Sequence, residues 1–235
     1  MRKSWLLLSL MIVLLLGAAA GLSALGLDVE LKAGGGMAMG TTDDPDKSGA
    51  LRYALDAGLT LDLFVMDLGP VGLGVSAGAG YANMHYHGVW ENFPNPAPPP
   101  NTTTQTSDSV YNYLLFPFGL VGKLGIGTSH SLTLRAGGFA GYFLSGTTDL
   151  THNPAIAVPD GESDLDDSNT EQWMYGLSFY SGLDLFTKGK LSVTPSLQFD
   201  IGLTDTTLDL PFPPASNDTF WALTANVGIR YSLIQ

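Results

Sequence analysis

The sequence predicts an all-β fold: an eight-stranded, antiparallel, up-and-down transmembrane barrel preceded by a secretory signal peptide. Three observations predict it. Eight stretches alternate apolar residues with small or polar ones, and a period of two marks a strand with two unlike faces. Long acidic connections take turns with very short ones, the asymmetry of barrels that cross an outer membrane. The polar faces are mainly Gly, Ser, Thr and Ala, which suit the narrow interior of an eight-stranded barrel better than a water-exposed wall.

The first segment, 1–20, has the three parts of a secretory signal. Arg2 and Lys3 supply positive charge, residues 5–16 an apolar core, and Ala18-Ala19-Ala20 a cleavage site, with a cut after Gly26 as the second choice. The apolar run is too short for a spanning helix, which needs about 20 residues. The barrel is expected over 27–235.

Strand one is expected near 27–40, with Leu27, Val29, Leu31, Ala33, Met37 and Met39 on one face. Strand two, near 50–65, sets Leu51, Tyr53, Leu55, Leu59, Leu61 and Leu63 against Arg52, Asp56, Thr60 and Asp62. Asp67-Leu68-Gly69-Pro70 is a turn. Strand three, near 71–85, opposes Val71, Leu73, Val75 and Tyr81 to Gly72, Gly74, Ser76 and Gly80. Strand four, near 110–124, alternates poorly, since Tyr111, Tyr113 and Leu115 are as apolar as Leu114, Phe116 and Phe118. Strand five, near 131–144, follows a turn at 125–130. Strand six, near 173–186, is joined to strand seven, near 191–203, by Thr187-Lys188-Gly189-Lys190. Strand eight is the cleanest: Trp221, Leu223, Ala225, Val227, Ile229, Tyr231 and Leu233 alternate with Ala222, Thr224, Asn226, Gly228, Arg230 and Ser232.

The long connections, 41–49, 86–109, 145–172 and 204–218, carry 15 acidic residues and one base, Lys47. The rest of the mature chain is balanced. The surplus charge therefore gathers on one rim, and an even strand count puts both termini on the other side, in the periplasm. Pro94 to Pro100 holds five prolines, which cannot donate to a sheet ladder.

Composition narrows the function. Charged residues are 14% of the chain, against about 25% in soluble domains. Ten unclustered bases against 22 acids leave no nucleic-acid footprint. With no cysteine there is no disulfide, thiolate site or lipidated N-terminus. No cofactor is called for.

Eleven charged residues share the inward parity: Asp28, Glu30, Lys32, Arg52, Asp56, Asp62, Lys123, Arg135, Asp184, Asp200 and Arg230. Buried charges must pair or cost heavily. The expectation is an ion-pair network closing the lumen. Met84, Phe139, Phe143 and Tyr180 are the apolar inward candidates. Phe64, Trp173, Tyr175, Phe186, Trp221 and Tyr231 lie near strand ends, where aromatic girdles meet the membrane interfaces.

The layout of 27–235 resembles the superfamily of small eight-stranded outer-membrane barrels, which includes OmpX, the OmpA barrel, OmpW and PorT-like proteins. Asn226, Gly228, Tyr231 and Leu233 are similar to the C-terminal insertion signal of such barrels, although the chain ends in Ile234-Gln235. Tyr113-Leu114-Leu115-Phe116-Pro117 is similar to a strand of the PorT-like families. The resemblance implies a diderm outer membrane, lipid neighbours, the barrel-assembly machinery as a transient partner, and roles in surface or host contact or in small-molecule passage.

Three chemical readings compete with a structural or surface-contact role. His85 and His87 share one face at a strand end, with Glu91 and Asp108 as further metal ligands, yet rim histidines commonly hold no metal. Asp160, Glu162, Asp164, Asp166 and Asp167 supply oxygens but not the spacing of a calcium loop. Ser181 on an apolar face and His85 at the rim allow a lipid-acting enzyme, whose hydrogen-bond contact the strand offsets disfavour. An OmpW-like conduit for small apolar molecules requires an apolar lumen or a lateral opening.

Overall fold

The computed structural model describes residues 26–42, 46–94, 102–127, 129–153, 161–165, 170–188, 190–204 and 218–234; the side chains at 42, 92–94, 102, 186–188 and 218 are outside the description. The segment 1–20 expected to be a signal peptide, Pro96 to Asn101, Asp160, Asp166 and Asp167 lie outside the described residues, as does the side chain of Phe186.

Among the described residues ten strands form in chain order: β1 (Gly26–Thr42), β2 (Lys47–Ala50), β3 (Arg52–Asp67), β4 (Val71–Pro94), β5 (Thr102–Ile126), β6 (His130–Asn153), β7 (Gly161–Leu165), β8 (Trp173–Lys188), β9 (Leu191–Gly202) and β10 (Asp218–Ile234). Eight of them, β1, β3, β4, β5, β6, β8, β9 and β10, pair each with the next, all antiparallel. β10 returns to β1 over a register running from Leu27↔Ile234 to Thr42↔Asp218. The sheet therefore closes and leaves no open edge in hydrocarbon, where an unpaired backbone group costs several kcal/mol. Among the described residues no helix is long and apolar enough to cross a membrane; the strands do the crossing.

The outer wall is greasy. Leu31, Leu120 and Val227 are 61%, 69% and 63% exposed, and Leu55, Leu134, Leu197 and Ile229 face the same way. The opposite parity is buried and polar: Thr60, Ser76, Thr133, Thr194, Thr224 and Ser232 all point inward. A soluble barrel has the reverse arrangement.

The fold departs from the sequence reading beyond the wall. Residues 86–94, 102–109 and 145–153, expected as loops, continue as strand beyond the wall. With β2 added to β4 and β7 to β6, they build a five-stranded arm in the order β2-β4-β5-β6-β7. The polar Thr and Ser of 102–109 do not stop pairing, because the β4–β5 register is already set inside the wall and extends outward. Inside the wall, by contrast, the β4–β5 ladder is interrupted between Ala77↔Phe118 and Gly80↔Leu115, where Pro117 has no N–H to give.

Candidate functional site in the lumen and on the arm

The lumen is filled in layers. Nearest the short turns, Glu30 lies at the centre of a cluster of charges. Arg135 and Arg230 both reach its Oε2, the latter at 2.7 Å, and the Tyr180 hydroxyl donates to Oε1 at 2.6 Å. Arg135 also grips Asp62 with two parallel bonds, Nε to Oδ1 at 2.8 Å and Nη2 to Oδ2 at 2.6 Å. Such a fork is the strong form of a guanidinium–carboxylate pair. Its guanidinium carbon stands 4.2 Å from the centroid of the Tyr180 ring.

Arg230 continues to Asp184 at 2.9 Å, and its other neighbour is the Thr133 hydroxyl. Asp184 accepts further bonds from Ser131 and Thr194, each at 2.7 Å. Lys123 bonds Asp28 at 2.6 Å and lies 3.9 Å from Asp184. Strict alternation on β1, β3, β8 and β10 puts these side chains on one face.

Above this layer, Lys32 contacts Asp56 at 3.3 Å and the Gln198 carbonyl. Asp200 accepts from Gln198 at 2.7 Å, and no ion pair to it forms among the described residues.

Toward the arm the filling turns apolar. Met84, Tyr111, Tyr113, Leu115, Phe139, Phe143, Met174 and Phe220 pack with Ala38, Ala54, Ala82 and Ala222. Tyr113 stacks near-parallel to Tyr111 at 6.2 Å and meets Phe143 edge-on at 5.7 Å. Leu165 of β7 packs against the same cluster. The doubly apolar pattern of strand four, which reads poorly as a barrel strand, is the sequence signal of this layer.

Arg52 is not in the lumen. Ala54 pairs with Met84 and Ala50 with His87, so three residues on β2–β3 oppose two on β4. The bulge reverses the parity. Arg52 then bonds Asp108 at 3.2 Å on the arm, and His87 Nδ1 sits 2.7 Å from the same carboxylate oxygen. His85 stacks on Tyr53 with centroids 3.7 Å apart. Among the described residues no group of three or more His, Cys, Asp and Glu side chains is placed to hold a metal ion.

Phe64 is also misplaced by the sequence reading. It is 7% exposed and points inward beneath Lys123, because it shares the parity of Thr60 and Asp62. Tyr175 and Tyr231 face outward, and Trp173 stacks on Tyr175 and meets Tyr142 edge-on at the rim. Trp221 lies beside Phe199. Of the residues resembling an insertion signal, Asn226 and Gly228 face the lumen and Tyr231 and Leu233 the outside.

Ser181 is exposed on β8 between Leu134 and Leu197, whereas His85 is on β4, three strands away around the ring. They do not form a catalytic pair.

The Asp108 clasp predicts a pH dependence. The His87 hydrogen bond, with Arg52 in support, holds the Asp108 carboxyl below its ordinary range against partial burial. Its contribution is present above the unfolded value of about 3.9 and is lost as pH falls through the lower folded value. The pair is exposed and is worth about 0–1 kcal/mol. Intrinsic-rate-corrected hydrogen exchange should show the β4–β5 arm loosening only in acid. Asp108→Asn should loosen it at neutral pH to the same small degree.

Closed and greasy-walled, with buried charges at the turn end of its lumen, the molecule has the build of a membrane β-barrel. Residues 17–208 match the family model for the outer membrane protein beta-barrel domain, and the chain belongs to that family. It is an outer-membrane protein surrounded by lipid. No curated protein matches it.

Solved structures of similar fold include the outer membrane protein OprG from Pseudomonas aeruginosa, at 11% identity, covering 90% of this chain and 98% of that one, with a TM-score of 0.42. The attachment invasion locus protein Ail of Yersinia pestis, in complex with the heparin analogue sucrose octasulfate, is 10% identical, covering 87% and 99%, with a TM-score of 0.36. The outer membrane protease OmpT of Escherichia coli is 9% identical, covering 90% and 98%, with a TM-score of 0.38. At these identities the likeness concerns the fold alone.

Proposed function

We propose that the protein is a closed-lumen barrel that works in surface contact, through its arm and the acidic connections on the same rim, rather than in transport or catalysis. One observation carries this reading: the lumen is packed from the Glu30 cluster to the Tyr113 layer, while β4, β5 and β6 rise past the wall into a sheet with nothing to enclose. A filled interior leaves the arm as the accessible part. The surplus negative charge on that rim favours a cationic partner on the cell exterior. Both termini then lie in the periplasm, after a leader is removed and the assembly machinery inserts the barrel. Placing the leader at 1–20 and the transmembrane unit at 27–235 belongs to the same proposal.

Planar bilayer recording of the pure protein tests the closed lumen. The expected result is no large, steady conductance; open channels in every insertion contradict it. An epitope inserted between Pro94 and Thr102 should be reached by antibody on intact cells, and one fused after Gln235 should not. The reverse pattern turns the barrel over and removes the arm from the exterior.

A conduit for small apolar molecules is the second reading, favoured by the apolar upper lumen and by the interrupted β4–β5 ladder at Pro117. The hollows beside that interruption measure ≈ 20 and ≈ 30 Å³, room for a water molecule and not for a ligand. A lipid-acting enzyme is the weakest reading, since Ser181 and His85 stand apart and His87 is engaged by Asp108.

A further inference from the structure

We infer that two copies of this barrel pair side by side in the membrane through the lipid-facing wall of β6, β8 and β9, with their Ser181 hydroxyls meeting at a two-fold axis. This surface is separate from the arm and does not depend on what the arm contacts.

The first argument is a hydroxyl out of place. Among the described residues, every outward position of the eight wall strands between the two rims carries an apolar or aromatic side chain or a glycine, save Ser181. Ser181 lies eight residues from Trp173 at the outer rim and seven from Lys188 at the short-turn end, so it sits at mid-height. It is exposed, and among the described residues no hydrogen bond to its hydroxyl forms. At that depth lipid offers only hydrocarbon, which neither donates nor accepts.

The second argument is shape. Ser181 lines an open hollow of ≈ 550 Å³ with Leu120, Leu134, Ala136, Phe179 and Leu197. Leu134 and Leu197 are its direct cross-strand partners on either side, 51% and 56% exposed, so the serine is a dip between two projecting leucines. Gly122 and Ala136 keep the neighbouring wall low on β5 and β6. Greasy faces alone do not join in a membrane, because lipid tails match them; small residues that admit close approach and a polar group to bond across supply the preference.

The third argument is symmetry, and it selects a second copy. Barrels inserted by one route share one orientation, so a two-fold axis along the membrane normal brings a residue at the interface centre to its own counterpart at the same depth. A serine hydroxyl both donates and accepts, so two facing serines satisfy each other. Membrane-barrel strands tilt by about 35–45°. The two-fold reverses that tilt in the facing wall, so the two rows Leu134–Ser181–Leu197 cross at the serines. The four leucines then surround the serine pair instead of colliding.

The test uses the full-length folded barrel. The chain has no cysteine, so Ser181→Cys supplies the sole thiol. Oxidised in lipid vesicles, it should form a disulfide-linked dimer about tenfold faster than Leu59→Cys on the opposite wall, because held neighbours react at a raised effective concentration. Its yield should hold as lipid is added, whereas chance collision falls.

Sedimentation equilibrium in density-matched detergent measures the affinity. The parent should dimerise, and Ser181→Ala should weaken the dimer by about three- to tenfold, the scale of one hydrogen bond between membrane segments. Ala136→Leu, which fills the hollow and keeps the hydroxyl, should weaken it as well, and supplies the readout if the Ser181 variants do not fold. A parent that stays monomeric at every concentration, with equal cross-linking of the two thiols, means that lipid alone covers the hollow and overturns the proposal. A dimer of undiminished strength in Ser181→Ala and Ala136→Leu overturns it too, and moves the contact to another face.

Discussion

Arg230→Met is expected to destabilise the barrel by about 3–5 kcal/mol, the usual cost of breaking a buried ion pair by removing one partner. Arg230 is 1% exposed and spans Glu30 and Asp184, so its loss leaves two buried carboxylates poorly matched. Arg135 still holds Glu30, and Lys123 lies 3.9 Å from Asp184, so the remaining cations offset part of the loss. Arg230→Lys should recover only part, because a single ammonium replaces a fork that reaches two acceptors.

The informative comparison is with Asp184→Asn. If the two residues are coupled as the geometry indicates, Arg230→Met combined with Asp184→Asn costs less than the sum of the singles. Urea unfolding of the folded protein in lipid vesicles measures all three. Val227→Ala, on the lipid side, sets the scale for a change that touches no charge. A cost for Arg230→Met no larger than that for Val227→Ala would mean that the pairs seen in the lumen contribute nothing.

What the sequence reveals and what it hides divide along one physical line. Parity is local, so β1 and β10 are readable residue by residue, and the inward charges on them follow at once. The exceptions are places where a distant strand resets the count. Arg52 leaves the lumen because β2 pairs with β4 one residue out of step with β3, and nothing in the segment 47–54 announces that. The arm is hidden for a related reason: Thr102 to Ser109 is polar on both faces, which reads as loop, and only the register carried up from the wall makes it strand. Phe64 shows the opposite failure. Its parity, shared with Thr60 and Asp62, points it inward, and nearness to a turn does not carry a ring to the lipid side. The Tyr113 layer was half-visible as a strand apolar on both sides, a pattern that a lipid-facing strand with a polar lumen does not need.

Gly36→Ala should prevent closure. The first and last strands meet along β1–β10, and a Cβ on Gly36 would lie 1.9 Å from the Leu223 carbonyl oxygen and 2.7 Å from the Thr224 Cα. Both are backbone atoms of a strand already paired to β9, so no side chain can swing aside and the ladder itself must part. An open seam exposes a row of unpaired N–H and C=O groups to hydrocarbon, and every further residue of opening adds to the cost. The chain should therefore fail to reach the compact form that resists detergent at room temperature and migrates fast on unheated gels. Gly35→Ala is the matched control one residue away. Its Cβ would meet a flexible Leu55 methyl at 3.1 Å and the Ala54 carbonyl oxygen at 3.4 Å, contacts that a few tenths of an ångström relieve. It should fold and show the same gel shift as the parent. Equal folding of the two variants would mean that the β1–β10 pairing is looser than its register, and that closure does not depend on the bare backbone at Gly36.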